Sequence, residues 1–265
     1  MTPPVSPLTQ FYDLLDGVAG GRAIDGLADD FQFEVMEPGS PPTRQHGGKH
    51  DFESLAVSLR RAGQGRDGAD RLHQIDTVAS AGGIELALGR RAGTTLLAAA
   101  QAGPDGRLAR YAEVVSSEVT FSAPGDRVPP SPDLLQTYFD RVDCITLDEA
   151  IDLVAEDYQF EMVFPGLAAG SPDERNSLTK ADFRAFQARI RSRNPRPTSP
   201  IAPPERRHHT RVSAVANNLV LVLAETINGR RNGTIIAAAE ADPDGHMRRY
   251  LIGMTPSVTF RFGGA

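Results

Sequence analysis

ADDFQFEVMEPG at residues 28–39 returns as AEDYQFEMVFPG at residues 155–166. The phrases lie 127 positions apart, and at that offset residues 11–39 run over residues 138–166 without a gap. Within the phrase the residues alternate. Phe31, Phe33, Val35 and Glu37 share one face of an extended chain, and Gln32, Glu34 and Met36 share the other. The later phrase repeats this with Tyr158, Phe160, Met162 and Phe164. The pattern predicts one strand per copy. Its apolar face ends in a glutamate in the first copy and in a phenylalanine in the second.

Further matches extend the repeat. KHDF (49–52) lies over KADF (180–183), and these hold the only two lysines of the chain. AAAQAGPDGRLARY (98–111) lies over AAAEADPDGHMRRY (237–250), and EVTF (118–121) over SVTF (257–260). A period this long, seen twice, means two whole domains rather than a solenoid. SAPGDRVPPSPD (122–133) is rich in Pro and Gly and reads as the join. The expected organisation is a first domain over 1–123, a linker over 124–132 and a second domain over 133–265.

The 265 residues suffice for one large core or two ordinary ones. A net charge of -6 argues against a nucleic-acid partner. No apolar run reaches the length of a membrane span, so no membrane role is expected. MTPPVSPLTQ lacks a basic cluster followed by an apolar stretch, so it does not read as a signal peptide. The single cysteine, Cys144, fits a reducing cytoplasm. There is no GxSxG elbow, Walker A loop, GxGxxG turn or CxxC pair, which argues against those hydrolase, nucleotide and zinc classes. His46 and His50 are four apart, but HGGKH places two glycines between them, so no helical metal pair is expected.

Helical spacing predicts a first helix over 8–17 and 133–143, a short second helix over 22–28 and 147–156, and a third over 50–62 and 180–192. Thr179 and Asp182 have the spacing of a capped start. Strands are expected over 72–79, 83–101 (two strands in one run) and 107–121, then over 208–226, 233–241 and 246–262. GPDG and DPDG read as hairpin turns. The fold class is α+β: two tandem copies, each a curved antiparallel sheet with about three helices on one face.

In this order the pieces resemble the nuclear transport factor 2-like superfamily in its SnoaL-like branch. The resemblance is carried by ADDFQFEVMEPG, GGKHDFESL, RLHQIDTV with RHHTRVSAV, and PDGRLARYAEVV, and it covers nearly all of 8–121 and 133–262. That branch includes polyketide cyclases, ketosteroid isomerases, limonene epoxide hydrolases and non-catalytic binding domains. The resemblance implies cones with an apolar pocket, no cofactor, and sheet backs that pair. Two copies in one chain then imply an internal pseudo-dimer, with room for a further homo-oligomer.

Family members that move protons often carry a carboxylate just before the Pro that ends the first strand, usually an Asp. Glu37 matches that place. Its strand phase sets it among Phe31, Phe33 and Val35, where burial disfavours a charged form and suits a carboxylate for acid/base work. Phe164 cannot transfer a proton. The resemblance also marks Tyr12 on the first helix and His73 at the start of a late strand as candidates beside Glu37. Phe31, Phe33, Val35 and Phe52 are expected to line the first pocket, and Tyr138, Phe160, Phe164 and His209 the second. His73 and His209 read as one matched position, for which a satisfied structural hydrogen bond is the plainer role. The expected ligand is a small apolar, oxygenated molecule. Isomerisation, cyclisation, dehydration and epoxide opening all fit, and so does a binding protein without chemistry. The AAA runs at 98–100 and 237–239 suggest close approach of sheet to sheet, ahead of the alternative that they leave room for a ligand. The Arg- and Pro-rich stretch 189–209 is an insertion relative to the first copy, read as a solvated loop or a lid.

Overall fold

A computed structural model describes residues 6–17, 22–37, 43–63, 71–122, 129–143, 147–164, 177–193, 207–228 and 231–262. Cys144 and most of the 189–209 insertion lie outside them.

The first copy holds α1 (Pro7–Leu15), β1 (Leu27–Glu37), β2 (Thr43–Gly47), α2 (Lys49–Gly63), β3 (His73–Ala81), β4 (Ile84–Arg91), β5 (Thr94–Ala102) and β6 (Leu108–Ser116). The second repeats it with α3 (Leu134–Asp143), α4 (Leu147–Asp152), β7 (Val154–Val163), β8 (Ser177–Thr179), α5 (Lys180–Arg193), β9 (His208–Ala216), β10 (Leu219–Asn228), β11 (Arg231–Ala241) and β12 (Met247–Thr255). Strand order is β2-β1-β6-β5-β4-β3 in one sheet and β8-β7-β12-β11-β10-β9 in the other. The fold is α+β with two tandem copies, as expected.

Several details differ from the sequence reading. The sheets are mixed, because β1 pairs with β6, and β7 with β12, in parallel. The expected short helix over 22–28 is a single 3-10 turn, Ala23–Gly26, and the strand already begins at Leu27. β2 and β8 were not foreseen. They are short, and TRQHG of β2 has no buried face to create an alternation. The run 208–226 is two strands, β9 and β10, turned at Asn217 with φ 57°.

Each helix is tied at points that position the interior. Glu85 on β4 accepts from Ser6 Oγ and the Leu8 amide, both at 2.8 Å, and so holds the start of α1. Asp16, just past the end of α1, accepts from the His73 amide at 2.9 Å. The two lysines make equivalent ties from α2 and α5 back to the first strand: Lys49 donates to the Leu27 carbonyl at 2.9 Å, and Lys180 pairs with Glu156 at 2.6 Å. Thr179 and Asp182 cap α5 reciprocally.

Three apolar clusters hold the molecule. One fills the first copy, around Phe11, Phe31, Phe33, Phe52 and Tyr111. One fills the second, around Tyr138, Phe139, Tyr158, Phe160, Phe183 and Tyr250. The third lies between the sheets and draws on both copies: Leu86, Leu97, Ala99 and Val114 meet Leu221, Ile236, Ala238 and Leu251. Each alanine run is split by strand alternation. Ala99 and Ala238 face the opposing sheet, while Ala98, Ala100, Ala237 and Ala239 face the copy interiors. Burying a large apolar side chain stabilises by about 1.5–3 kcal/mol, so a cluster shared this widely couples the two copies strongly.

Glu34 is a correction to the strand reading. The alternation placed it with Gln32 on the polar face, yet it is fully buried. It accepts from Arg44 and, at 2.7 Å, from the Ser257 amide of the second copy. Its counterpart Glu161 accepts from Ser116 and from the Glu118 amide of the first copy.

Candidate functional site

Glu37 ends β1 on the inner face, in line with Phe33 and Val35. It does not meet an apolar wall. Arg91 at the end of β4 donates Nη2 to Glu37 Oε1, and Thr43 donates to Glu37 Oε2 at 3.3 Å. Arg91 donates its other nitrogen, Nη1, to Glu113 Oε1 at 2.7 Å. Tyr111 donates to Glu113 Oε2, and its hydroxyl lies 2.8 Å from that of Tyr12. A polar chain thus runs inward from Glu37 through Arg91, Glu113 and Tyr111 to Tyr12.

Exposure falls along the chain. The Glu37 side chain is 32 % exposed, Arg91 9 % and Glu113 2 %. Tyr111 and Tyr12 are buried. Burial, reinforced by the Glu113 charge, pushes both phenols well above their ordinary pKa, so they stay protonated. Burial opposes the charge on Arg91, but Glu113 and Glu37 outweigh it and hold the guanidinium above its ordinary value.

His73 stacks on Tyr12, with ring centroids 4.8 Å apart. Its Nδ1 lies 2.6 Å from Asp16 Oδ1, and its Nε2 is buried without a partner among the described residues. Asp76, three residues on from His73, meets Arg90 at 3.2 Å on the exposed side. The second copy keeps the same dyad. His208 Nδ1 lies 2.9 Å from Asp143 Oδ1, its amide reaches Asp143 Oδ2 at 2.8 Å, and its ring stacks on Phe139. The counterpart of His73 is therefore His208, not His209, because His208 meets Asp143 and pairs with Thr226 as His73 meets Asp16 and pairs with Arg91. A dyad retained in both copies, joining helix end to strand start, is a structural tie.

The charged part of the chain is not retained. Register places Thr226 where the first copy has Arg91, since each lies opposite the dyad histidine. Ile252 stands for Glu113, as their partners Met162 and Val35 show. Phe164 stands for Glu37 and Phe139 for Tyr12 at the 127-residue offset. Tyr250 stands for Tyr111, and its hydroxyl is buried with no partner among the described residues. The change from Glu37 to Phe164 is thus one part of a concerted exchange: an ion triad becomes three uncharged residues.

Of the expected pocket residues, Phe31, Phe33 and Phe52 pack ring against ring at 5.1–6.2 Å and leave their part of the interior filled. Val35 is buried in the same cluster. Tyr138 and Phe160 do the same against Phe183 and Tyr250, and Phe164 packs at the margin. A cleft of about 360 Å³ opens between β2 and α2, with Phe33 at its base and Arg44, His46, Asp51 and Ser54 around it. It is polar and open, unlike the apolar pocket expected inside the cone.

Sequence reasoning did not single out Arg91, Glu113, Tyr111 or Asp16. Tyr111 and Glu113 alternate on β6, so their shared face was readable, as was Ile252 opposite Glu113 in the repeat. Arg91 was hidden because the turn between the two strands expected in 83–101 was not located, and its phase depends on that turn at Ala92 and Gly93, with φ 54° and 89°.

No protein-family model matches the chain, and no curated protein matches it. Solved structures align with about half of it. A SnoaL-like protein of unknown function from Burkholderia thailandensis is 15 % identical over 48 % of this chain and 99 % of its own, with a TM-score of 0.36. An NTF-2 like protein of unknown function from Burkholderia xenovorans is 13 % identical over 50 % of this chain and 86 % of its own, at 0.34. The epoxide hydrolase/cyclase-like enzyme SalBIII, of pyran ring formation in the polyether salinomycin, is 13 % identical over 46 % and 88 %, at 0.30. Among the described residues, no helix is long and apolar enough to cross a membrane.

Proposed function

We propose that the first copy is the working domain, an acid/base site for a small, mainly apolar, oxygenated molecule, and that the second is its support. The observation that carries this reading is the concerted loss of Glu37, Arg91 and Glu113 in the second copy. A buried ion triad adds little stability over apolar residues of similar volume, and the second copy folds on the same plan without one. Retaining it in one copy only is consistent with a task beyond folding.

The chemistry follows from the protonation states. Tyr111 gives its one proton to Glu113, which leaves Tyr12 as the donor between the two phenols, and an oxygen that gains negative charge would take the Tyr12 proton in place of Tyr111. Glu37, at the partly exposed end, can take a proton from carbon or water, and Glu113 can exchange one through Tyr111. Arg91 would hold both carboxylates ready. No cofactor enters the scheme. The class is isomerase, cyclase, dehydratase or epoxide hydrolase.

A second reading, a binding protein without chemistry, draws support from the interior itself. Its aromatic rings pack against one another, and each member of the polar chain already has its partners. Wild type, Glu37→Gln and Glu113→Gln, tested against polycyclic ketones, steroid-like enones and terpene epoxides, separate the two. Acid/base work predicts a ligand that shifts the melting temperature of all three proteins but is converted only by wild type. A ligand that binds equally to all three and is never converted supports the binding reading.

A further inference from the structure

The face between the sheets is nearly symmetric, and its departures from symmetry are informative. Equivalent strands meet across it, and most equivalent positions carry similar residues: Leu86 and Leu221, Leu97 and Ile236, Ala99 and Ala238. Val114 and Gly253 are also equivalent. Val114 lies opposite Leu97 on β5, and Gly253 opposite Ile236 on β11. These two touch each other. A Cβ added at Gly253 would lie 2.1 Å from Val114 Cγ2 and 2.9 Å from Cγ1, well inside any van der Waals contact. Two residues before them on the same faces stand Ala112 and Leu251, both fully buried. The first copy therefore presents small then large, and the second large then small.

We infer that this surface is built to fit the other half of the same chain and to reject an equivalent half. Two first-copy faces brought together in this geometry would set Val114 against Val114, where the spacing has no room for one Cβ. Two second-copy faces would set Gly253 against Gly253 and leave a void. The polar rim is matched in the same unequal way. Glu34 has Arg44 as well as the Ser257 amide, whereas Glu161 Oε1 has no partner among the described residues. The partner this surface selects is the non-equivalent copy, so pairing between chains through like faces is excluded. This does not depend on what the first copy catalyses.

Four full-length proteins test it by thermal unfolding: wild type, Gly253→Val (equal valines), Val114→Gly (equal glycines) and the double exchange Val114→Gly/Gly253→Val. Each equal pair is expected to lower Tm by roughly 3–10 °C, and the double exchange to unfold above both. A double exchange no better than either single variant overturns the inference. Should the equal-valine protein fail to fold, Gly253→Ala decides. It is expected to lower Tm in wild type but not in a Val114→Gly background, which removes the Val114 Cβ as well as both methyls, and an equal loss in both backgrounds would overturn the inference.

Discussion

Glu161 is a carboxylate taken into the space between two sheets. Burial raises its pKa above the ordinary 4.5, and the neighbouring Glu118 charge adds to this against the hydrogen bonds from Ser116 and the backbone. A carboxyl raised in the folded state favours folding while it is protonated and loses that contribution as pH climbs through the raised value. Glu161→Gln should therefore stabilise at neutral pH, with the gain fading as pH falls below the ordinary carboxylate range, as read from denaturant melts across that range. The ion triad behaves oppositely to truncation. Arg91→Met leaves Glu113 buried without its cation and should cost about 3–5 kcal/mol. Replacing the triad with the residues of the second copy, Glu37→Phe, Arg91→Thr and Glu113→Ile, should recover most of that loss. At this scale the sequence was only half legible. Alternation correctly aimed Glu37 inward, but nothing in the local pattern showed that Arg91, 54 positions on, would sit on it. Glu34 and Glu37 were both read from one strand with a single polar face, whereas β1 buries both faces.

Elements were more legible than residues, because helices and strands announce themselves through spacing that packing reinforces. α1, α2, α3 and α5 fall within a few residues of their expected bounds, and the cap at Thr179 is where the spacing put it. Thr179→Ala should cost about 1 kcal/mol, visible as a loss of unfolding free energy that Ser at the same position restores. What stayed hidden were the pieces without a periodic signal. β2 is exposed up to its last residue, β8 has three residues, and the parallel pairing of β1 with β6 is a property of topology rather than of either strand. The one-residue error that chose His209 over His208 is of the same kind. The two copies differ in length between α5 and β9, and the Asp143 contact and the pairing with β10 fix the register.

For the whole molecule, the repeat itself carried the architecture: two copies, and backs that meet. The shared cluster between the sheets implies that the copies unfold together, so fluorescence and circular dichroism should trace one coincident transition. Two separated transitions would mean that the interface contributes little. The central claim is that the first copy works and the second supports it. Its most direct test is one assay: turnover of the converted ligand by wild type and by the Glu37→Phe/Arg91→Thr/Glu113→Ile protein. The account predicts a variant that still melts in one transition yet has lost turnover by about 100-fold or more. A folded variant that turns over at the wild-type rate would contradict it.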